Sequence, residues 1–236
     1  MEGYKTKTCS SMGANRSYID PSRENECSKK CITKAAGLKP EMWVAWDNLG
    51  RALYNLREYN ESIEMIDRSL ILKSDNQDAL LLKGRSLHRL GRFDDAIKTY
   101  DAVLSLDQNN LGALANKGLA MMMKGDEDTA LELFSKYLSL DPNKVDILTE
   151  QSLIFQKKGM IDKAIANCDR IIKLESNNAL AYYNRSCFNC NINNNEKALS
   201  DLEKAIGLNP RLKELARKDD DLDKIRDVPR FKELMA

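Results

Sequence analysis

The sequence repeats itself every 34 residues. With Trp43 as position 1, five copies follow one another without insertion, over 43–76, 77–110, 111–144, 145–178 and 179–212. Position 8 holds Gly50, Gly84, Gly118, Ser152 and Ser186, and position 20 holds Ser62, Ala96, Ala130, Ala164 and Ala198, so both columns stay small. Positions 21, 28 and 30 are Leu or Ile in every copy. A unit this short cannot bury an apolar face alone and has to stack on its neighbours.

Each copy reads as two helices. Apolar or small residues at positions 3, 4, 7, 8 and 11 mark one helical face, and those at 20, 21, 24, 27 and 28 mark a second. The small side chains at 8 and 20 let the two helices approach closely. Between them, position 15 carries Gly91, Gly125 and Gly159, suited to a left-handed helix end. Asn193 also tolerates that conformation, whereas Arg57 departs from it. Asp94, Asp128 and Asp162 follow three residues later and either cap the second helix or favour its N-terminal dipole. Pro142 and Pro210, at position 32, end the second helix.

Composition narrows the class further. The 236 residues hold 37 Lys+Arg against 36 Asp+Glu, with one His. Summed by segment from leader to tail, net charge stays between +3 and −2, so there is no basic block of the kind that nucleic-acid binding needs. With 42% hydrophobic and 31% charged residues, the chain reads as folded; 11 Gly, 5 Pro and 6% aromatics suit helices better than sheets. No apolar run approaches 18 residues, the N-terminus has no apolar h-region and neither lipidation motif is present. The expectation is a cytoplasmic protein with no membrane contact. Its cysteines, Cys9, Cys27, Cys31, Cys168, Cys187 and Cys190, are then reduced thiols used as small packing residues.

The columns resemble the tetratricopeptide repeat, whose pattern is W-x2-L-G-x2-Y, then A-x3-F, then P. Trp46, Leu49 and Gly50 carry it in the first copy, Gly84, Ala96 and Tyr100 in the second, and Gly118, Ala130, Phe134 and Pro142 in the third. The last two copies are looser, with Ser152 and Ser186 in place of Gly and Cys168 and Leu202 at the aromatic position. The resemblance covers 43–212 and implies an all-α fold, an α-α superhelix (solenoid) of five helix-turn-helix repeats. Residues 17–42 read as an N-terminal capping helix or degenerate half repeat, behind a mobile leader at 1–16. Residues 213–236 read as C-terminal capping helices: Leu212, Leu215 and Ala216 continue a helix, Leu222 and Ile225 suit a short turn, and Pro229 starts a last helix bearing Phe231 and Leu234.

In the family the first helix of each repeat lines the concave face, which implies a groove made by positions 2, 5, 6, 9, 12 and 13. Three groups stand out there. Asn48, Asn116 and Asn184 share position 6, where a carboxamide either pairs with the backbone of an extended peptide or simply faces solvent. Arg51, Arg85 and Arg89, with His88, form either an anchor for acidic groups or ion pairs with Asp47 and Asp78. Leu81, Leu82, Leu119, Met122, Met123 and Leu153 form either an apolar groove floor or packing between helices. Tyr183, Cys187 and Cys190 fall on the same positions of the last copy. One subfamily grips C-terminal carboxylates with Lys and Asn at positions 5 and 9, Asn at 6 of the next repeat, and Lys and Arg at 2 and 6 of the third. The first three copies offer Asp47, Arg51, Leu82, Gly112 and Asn116 instead, so that clamp is not expected.

Chemistry is sparse. A single His excludes a His-based metal cluster, Cys187-x2-Cys190 has no second pair at zinc spacing, and no phosphate-binding loop or nucleophile motif occurs. The expectation is a non-catalytic scaffold without cofactor or metal. It binds a peptide or helix of a partner protein through Asn48, Arg51, Leu82, Arg85, Arg89, Asn116, Leu119, Met122, Leu153 and Asn184. Self-association is the alternative, and nucleic-acid binding is disfavoured.

Overall fold

The computed structural model describes residues 41–236. The leader and the capping helix expected over 17–42 lie outside the described residues, except Glu41 and Met42. Every regular element among the described residues is helical. The chain divides into two compact units, one ending at Leu90 and one running Gly91–Ala236. The first contains α1 (Trp43–Asn55), α2 (Tyr59–Leu72) and α3 (Gln77–Arg89). The second begins with α4 (Phe93–Leu106), followed by α5 (Leu111–Lys124), α6 (Glu127–Leu140), α7 (Val145–Lys157), α8 (Ile161–Leu174), α9 (Ala179–Asn191) and α10 (Asn195–Leu208). It closes with α11 (Leu212–Ala216), a 3-10 turn (Asp220–Leu222), α12 (Asp223–Arg226) and α13 (Pro229–Met235).

Helix ends follow from local chemistry. The carboxamide oxygens of Asn76, Asn110 and Asn178, at position 34, accept from the backbone N–H of Ala79, Ala113 and Ala181 and so cap the next first helix. Of the acidic residues ahead of second helices, Asp126 is the cap, accepting from Thr129 N–H at 3.1 Å. Asp94, Asp128 and Asp162 lie inside the first turn, where they favour the dipole without capping. Gly91, Gly125 and Gly159 adopt φ of 74°, 82° and 72°, and Asn193 adopts 62°. Arg57 takes the same conformation, at 64°, despite its Cβ. The hairpin geometry therefore overrides the residue at that turn.

The close approach of paired helices is visible at the small positions. A Cβ on Gly118 would lie 2.5 Å from the Phe134 ring, and one on Gly50 would lie 2.6 Å from Ile66. Where position 8 is Ser, position 24 carries no aromatic ring: it is Cys168 in the hairpin of Ser152 and Leu202 in that of Ser186, and all four are buried. The serine hydroxyls donate to backbone carbonyls, Ser152 to Leu148 O and Ser186 to Ala198 O, each at 2.7 Å. The looser copies thus hold the same packing with redistributed volume.

In the second unit α5 packs between α4 and α6, α7 between α6 and α8, and α9 between α8 and α10. First helices therefore form one layer and second helices the other. In the first unit α2 packs on both α1 and α3, and α1 also touches α3. Neighbouring repeats are tied by position 7 of one copy and position 25 of the copy before. Lys83 meets Asp67 at 2.7 Å, Lys117 meets Asp101 at 2.6 Å, Gln151 donates to Ser135 at 3.1 Å, and Arg185 meets Asp169 at 2.5 Å. Position 7 was assigned above to the apolar face. Only Leu49, in the first copy, is apolar there, and the others span the junction between repeats.

The C-terminal segment completes the second unit. Leu222, Ile225 and Phe231 are buried with Tyr183, Phe188, Leu199 and Leu202 in one cluster. Arg230 pairs with Glu203, position 25 of the last copy, at 2.6 Å. The cap therefore ends the stack with the same tie that joins the repeats.

Candidate partner-binding face

On the first unit, Asn48, Arg51, Arg85 and Arg89 are exposed on α1 and α3. Arg51 lies 3.5 Å from Asp47, whose carboxylate is buried with Oδ1 lacking a hydrogen-bond partner. Burial raises the Asp47 pKa, Arg51 opposes this, and Asp78 adds to it. Arg85 and Arg89 pair with neither Asp47 nor Asp78. Arg85 stacks over the Tyr54 ring at 4.9 Å, and Tyr54, ahead of Tyr59, raises the Arg89 pKa. Tyr54 in turn packs against Tyr59, with ring centroids 5.5 Å apart. Burial, then the charge of Arg89, pull the His88 imidazole below its ordinary pKa of 6.5.

Leu82 corrects the expected groove floor. It is only 4% exposed and packs with Ile66 and Ala79. Position 6 is polar in the other copies (Asn48, Asn116, Glu150, Asn184). A leucine there gains more by filling the gap beside Ile66 than by facing water.

On the second unit, Asn116 is half-buried, and its amide already donates to Gly112 O at 2.7 Å. Its oxygen and its second amide hydrogen are left for the backbone N–H and C=O of another chain. Leu119 and Met122 are half-buried against the cluster around Leu114 and Phe134. Met123 is 63% exposed, Leu153 40% and Leu180 56%, on α5, α7 and α9 in turn. Glu150 lies on α7 between these apolar residues, and burial followed by Asp146 raises its pKa. Asn184 is half-buried on α9.

The C-terminal end of the second unit's first-helix layer is covered. Tyr183 donates to Asp219 at 2.6 Å, Gln156 donates to Asp221 at 2.7 Å, and Lys224 donates to the Asn191 carbonyl at 2.7 Å. Tyr183, Cys187 and Cys190, expected in the groove, are therefore buried beneath the C-terminal segment. The tail leaves the 34-residue frame at Asp219, so periodicity does not give its path. Ligand atoms of Cys187, Asp219 and Asp221 come within 4.8 Å of one another, the one metal-like grouping among the described residues. Both carboxylates already accept hydrogen bonds, and burial and those same carboxylates push the Cys187 thiol well above its usual range. The same holds for Cys168, pushed up to about 12 mainly by burial. These free thiols are buried and pack within the core of the second unit.

Residues 48–110 and 179–212 match models of the tetratricopeptide repeat. Those two stretches are tetratricopeptide repeats. No curated protein sequence matches the chain. Solved structures of the family match its fold. YrrB, described as a tetratricopeptide-repeat protein with an unusual peptide-binding site, is 21% identical over 77% of this chain and 94% of its own, with a TM-score of 0.65. Residues 41 to the end of MamA from Desulfovibrio magneticus RS-1 are 16% identical over 72% of this chain and 96% of that one, with a TM-score of 0.67. The C-terminal part of a repeat-containing protein from Cytophaga hutchinsonii is 15% identical over 90% of this chain and 84% of that one, with a TM-score of 0.74. At these identities the likeness is one of fold, α-α solenoids of stacked helix pairs. No helix among the described residues is long and apolar enough to cross a membrane.

Proposed function

We propose that this chain is a non-catalytic scaffold that binds a peptide or helix of a partner protein on its first-helix layer. The observation that carries this reading is the row of exposed Met123, Leu153 and Leu180 on three successive first helices, which repeat stacking leaves uncovered. Asn48, Arg51, Arg85 and Arg89 on the first unit, and Asn116, Leu119, Met122, Leu153 and Asn184 on the second, are the residues assigned to contact. Leu82 supports them from the core. The peptide-binding site named for YrrB agrees with use of this fold to hold a peptide. Segment charges no higher than +3 favour a protein partner over nucleic acid, and the cytoplasm is the proposed place of work.

The test uses exposed positions, so that folding survives. Arg51→Glu, Arg85→Glu and Leu153→Glu are combined, and partners are recovered from native lysate beside the unchanged chain. A partner lost only by the variant, with the thermal melt unaltered, supports the face. A partner retained equally contradicts it. A rise in mass with concentration in light scattering, abolished by the same substitutions, would instead make the face a self-association surface.

A further inference from the structure

Arg85 and Arg89 lie one turn apart on α3, a like-charge pair that an isolated helix disfavours. Among the described residues Arg92 meets Asp95, Arg185 meets Asp169 and Asp201, Arg217 meets Glu214, Arg226 meets Asp223 and Arg230 meets Glu203, whereas Arg68 stacks on Trp46 and Arg170 donates to the Pro142 carbonyl. Arg85 and Arg89 meet no carboxylate among the described residues. Arg85 is held over the Tyr54 ring at 4.9 Å, and Tyr54 lies close to Arg89 as well. Tyr54 belongs to α1, which touches α3, so two elements hold the pair in place. Arg51, on α1 at the repeat position of Arg85, is 52% exposed, and its 3.5 Å contact with Asp47 leaves most of its fork free. Asp78 stands two turns before Arg85 on the same helix, and Asp47 is occupied by Arg51, so neither neutralises the pair. Inside the chain the like-charge pair is offset by the Tyr54 contact and by the place of Arg89 in the last turn of α3, and both guanidinium groups remain exposed to a ligand.

Resting on the reading above, we infer that Arg85 and Arg89, oriented by Tyr54 and assisted by Arg51, anchor a partner segment through two or more Asp or Glu side chains. The planar guanidinium forks take carboxylates in a bidentate manner. Their Cα atoms are separated by about 6 Å along the helix, within reach of two carboxylates of one short segment. Tyr54 restrains Arg85 before binding, which lowers the entropy lost on contact. This is a different constellation from the Lys and Asn clamp for C-terminal carboxylates, so the acidic side chains are read within a segment and not at its end.

The probe is a library of random dodecapeptides displayed on phage, selected in parallel on the full chain and on its Arg85→Glu/Arg89→Glu variant, with Arg85→Gln/Arg89→Gln as a second variant and thermal melts as the folding control. The unchanged chain is expected to enrich peptides with at least two acidic residues. Synthetic copies should bind either variant about tenfold or more weakly, the loss of one charge-assisted bond per arginine, and should weaken as salt rises. Enrichment of neutral or basic peptides, or acidic peptides held equally by the variants, overturns the acidic anchor while leaving peptide binding intact. No enrichment at all overturns both readings. Replacing each Asp by phosphoserine separates carboxylate from phosphate: binding tenfold tighter on replacement would reassign the pair to phosphate and overturn the carboxylate assignment.

Discussion

Arg230 places Nη2 2.6 Å from Glu203 Oε2, and this contact occupies the register in which each earlier repeat is tied to the next. The corresponding Arg185 is more deeply set: it meets Asp169 at 2.5 Å and Asp201, itself 8% exposed, at 2.6 Å. The two ties should therefore differ in worth. Arg230→Ala is expected to leave stability nearly unchanged, as loss of an exposed ion pair does. Arg185→Met strands a buried carboxylate and is expected to cost roughly 2–3 kcal/mol. Urea denaturation of both variants makes the comparison.

Glycines at equivalent-looking helical sites should respond with opposite sign. Gly118→Ala drives a Cβ to 2.5 Å from the fully buried Phe134 ring, and overpacking of this kind costs about 1–3 kcal/mol. Gly207→Ala, in α10 with nothing within 4 Å of the new Cβ, is expected to stabilise by about 0.5–1 kcal/mol through helix propensity. Thermal melts of the two single variants decide the matter.

Arg57 holds φ of 64° at a turn where three other repeats use glycine. A non-glycine residue there costs about 1 kcal/mol. Glycine's greater freedom when unfolded takes part of that back. Arg57→Gly should raise stability by about 0.5 kcal/mol, read from the denaturation midpoint.

Glu150 carries a pKa raised above its ordinary 4.5 by burial and by Asp146. A carboxyl that binds its proton more tightly when folded lends stability below the unfolded pKa and loses it as pH climbs through the folded value. Glu150→Gln should therefore raise the melting temperature at pH 7 and leave it nearly unchanged at about pH 4. An equal gain at both pH values would remove ionisation as the cause.

Much of this architecture is readable from spacing alone. Small residues at positions 8 and 20 already imply the contact of Gly118 with Phe134, and position 15 marks the left-handed turns. The Asn caps at position 34 and the pairing of position 7 with position 25 were equally present in the columns, as Asn76, Asn110 and Asn178 and as Lys83 with Asp67. They emerge only when two columns of different repeats are set against each other, because the contact lies between units and not within one. Leu82 was misplaced because helical periodicity gives direction but not the depth of a gap beside a neighbour such as Ile66. The covering of Tyr183, Cys187 and Cys190 was out of reach for another reason: beyond Asp219 the chain follows three- and four-residue turns that no period predicts.

The central claim is that the first-helix layer is where a partner binds. Hydrogen exchange on the intact chain, alone and with its captured partner, tests it most directly, since bound backbone exchanges more slowly. Slowed exchange in α1, α3, α5, α7 and α9, with α2, α4, α6, α8 and α10 unchanged at their exposed faces, is the predicted result. Protection confined to the second helices, or none in the first helices of a saturated complex, would contradict it.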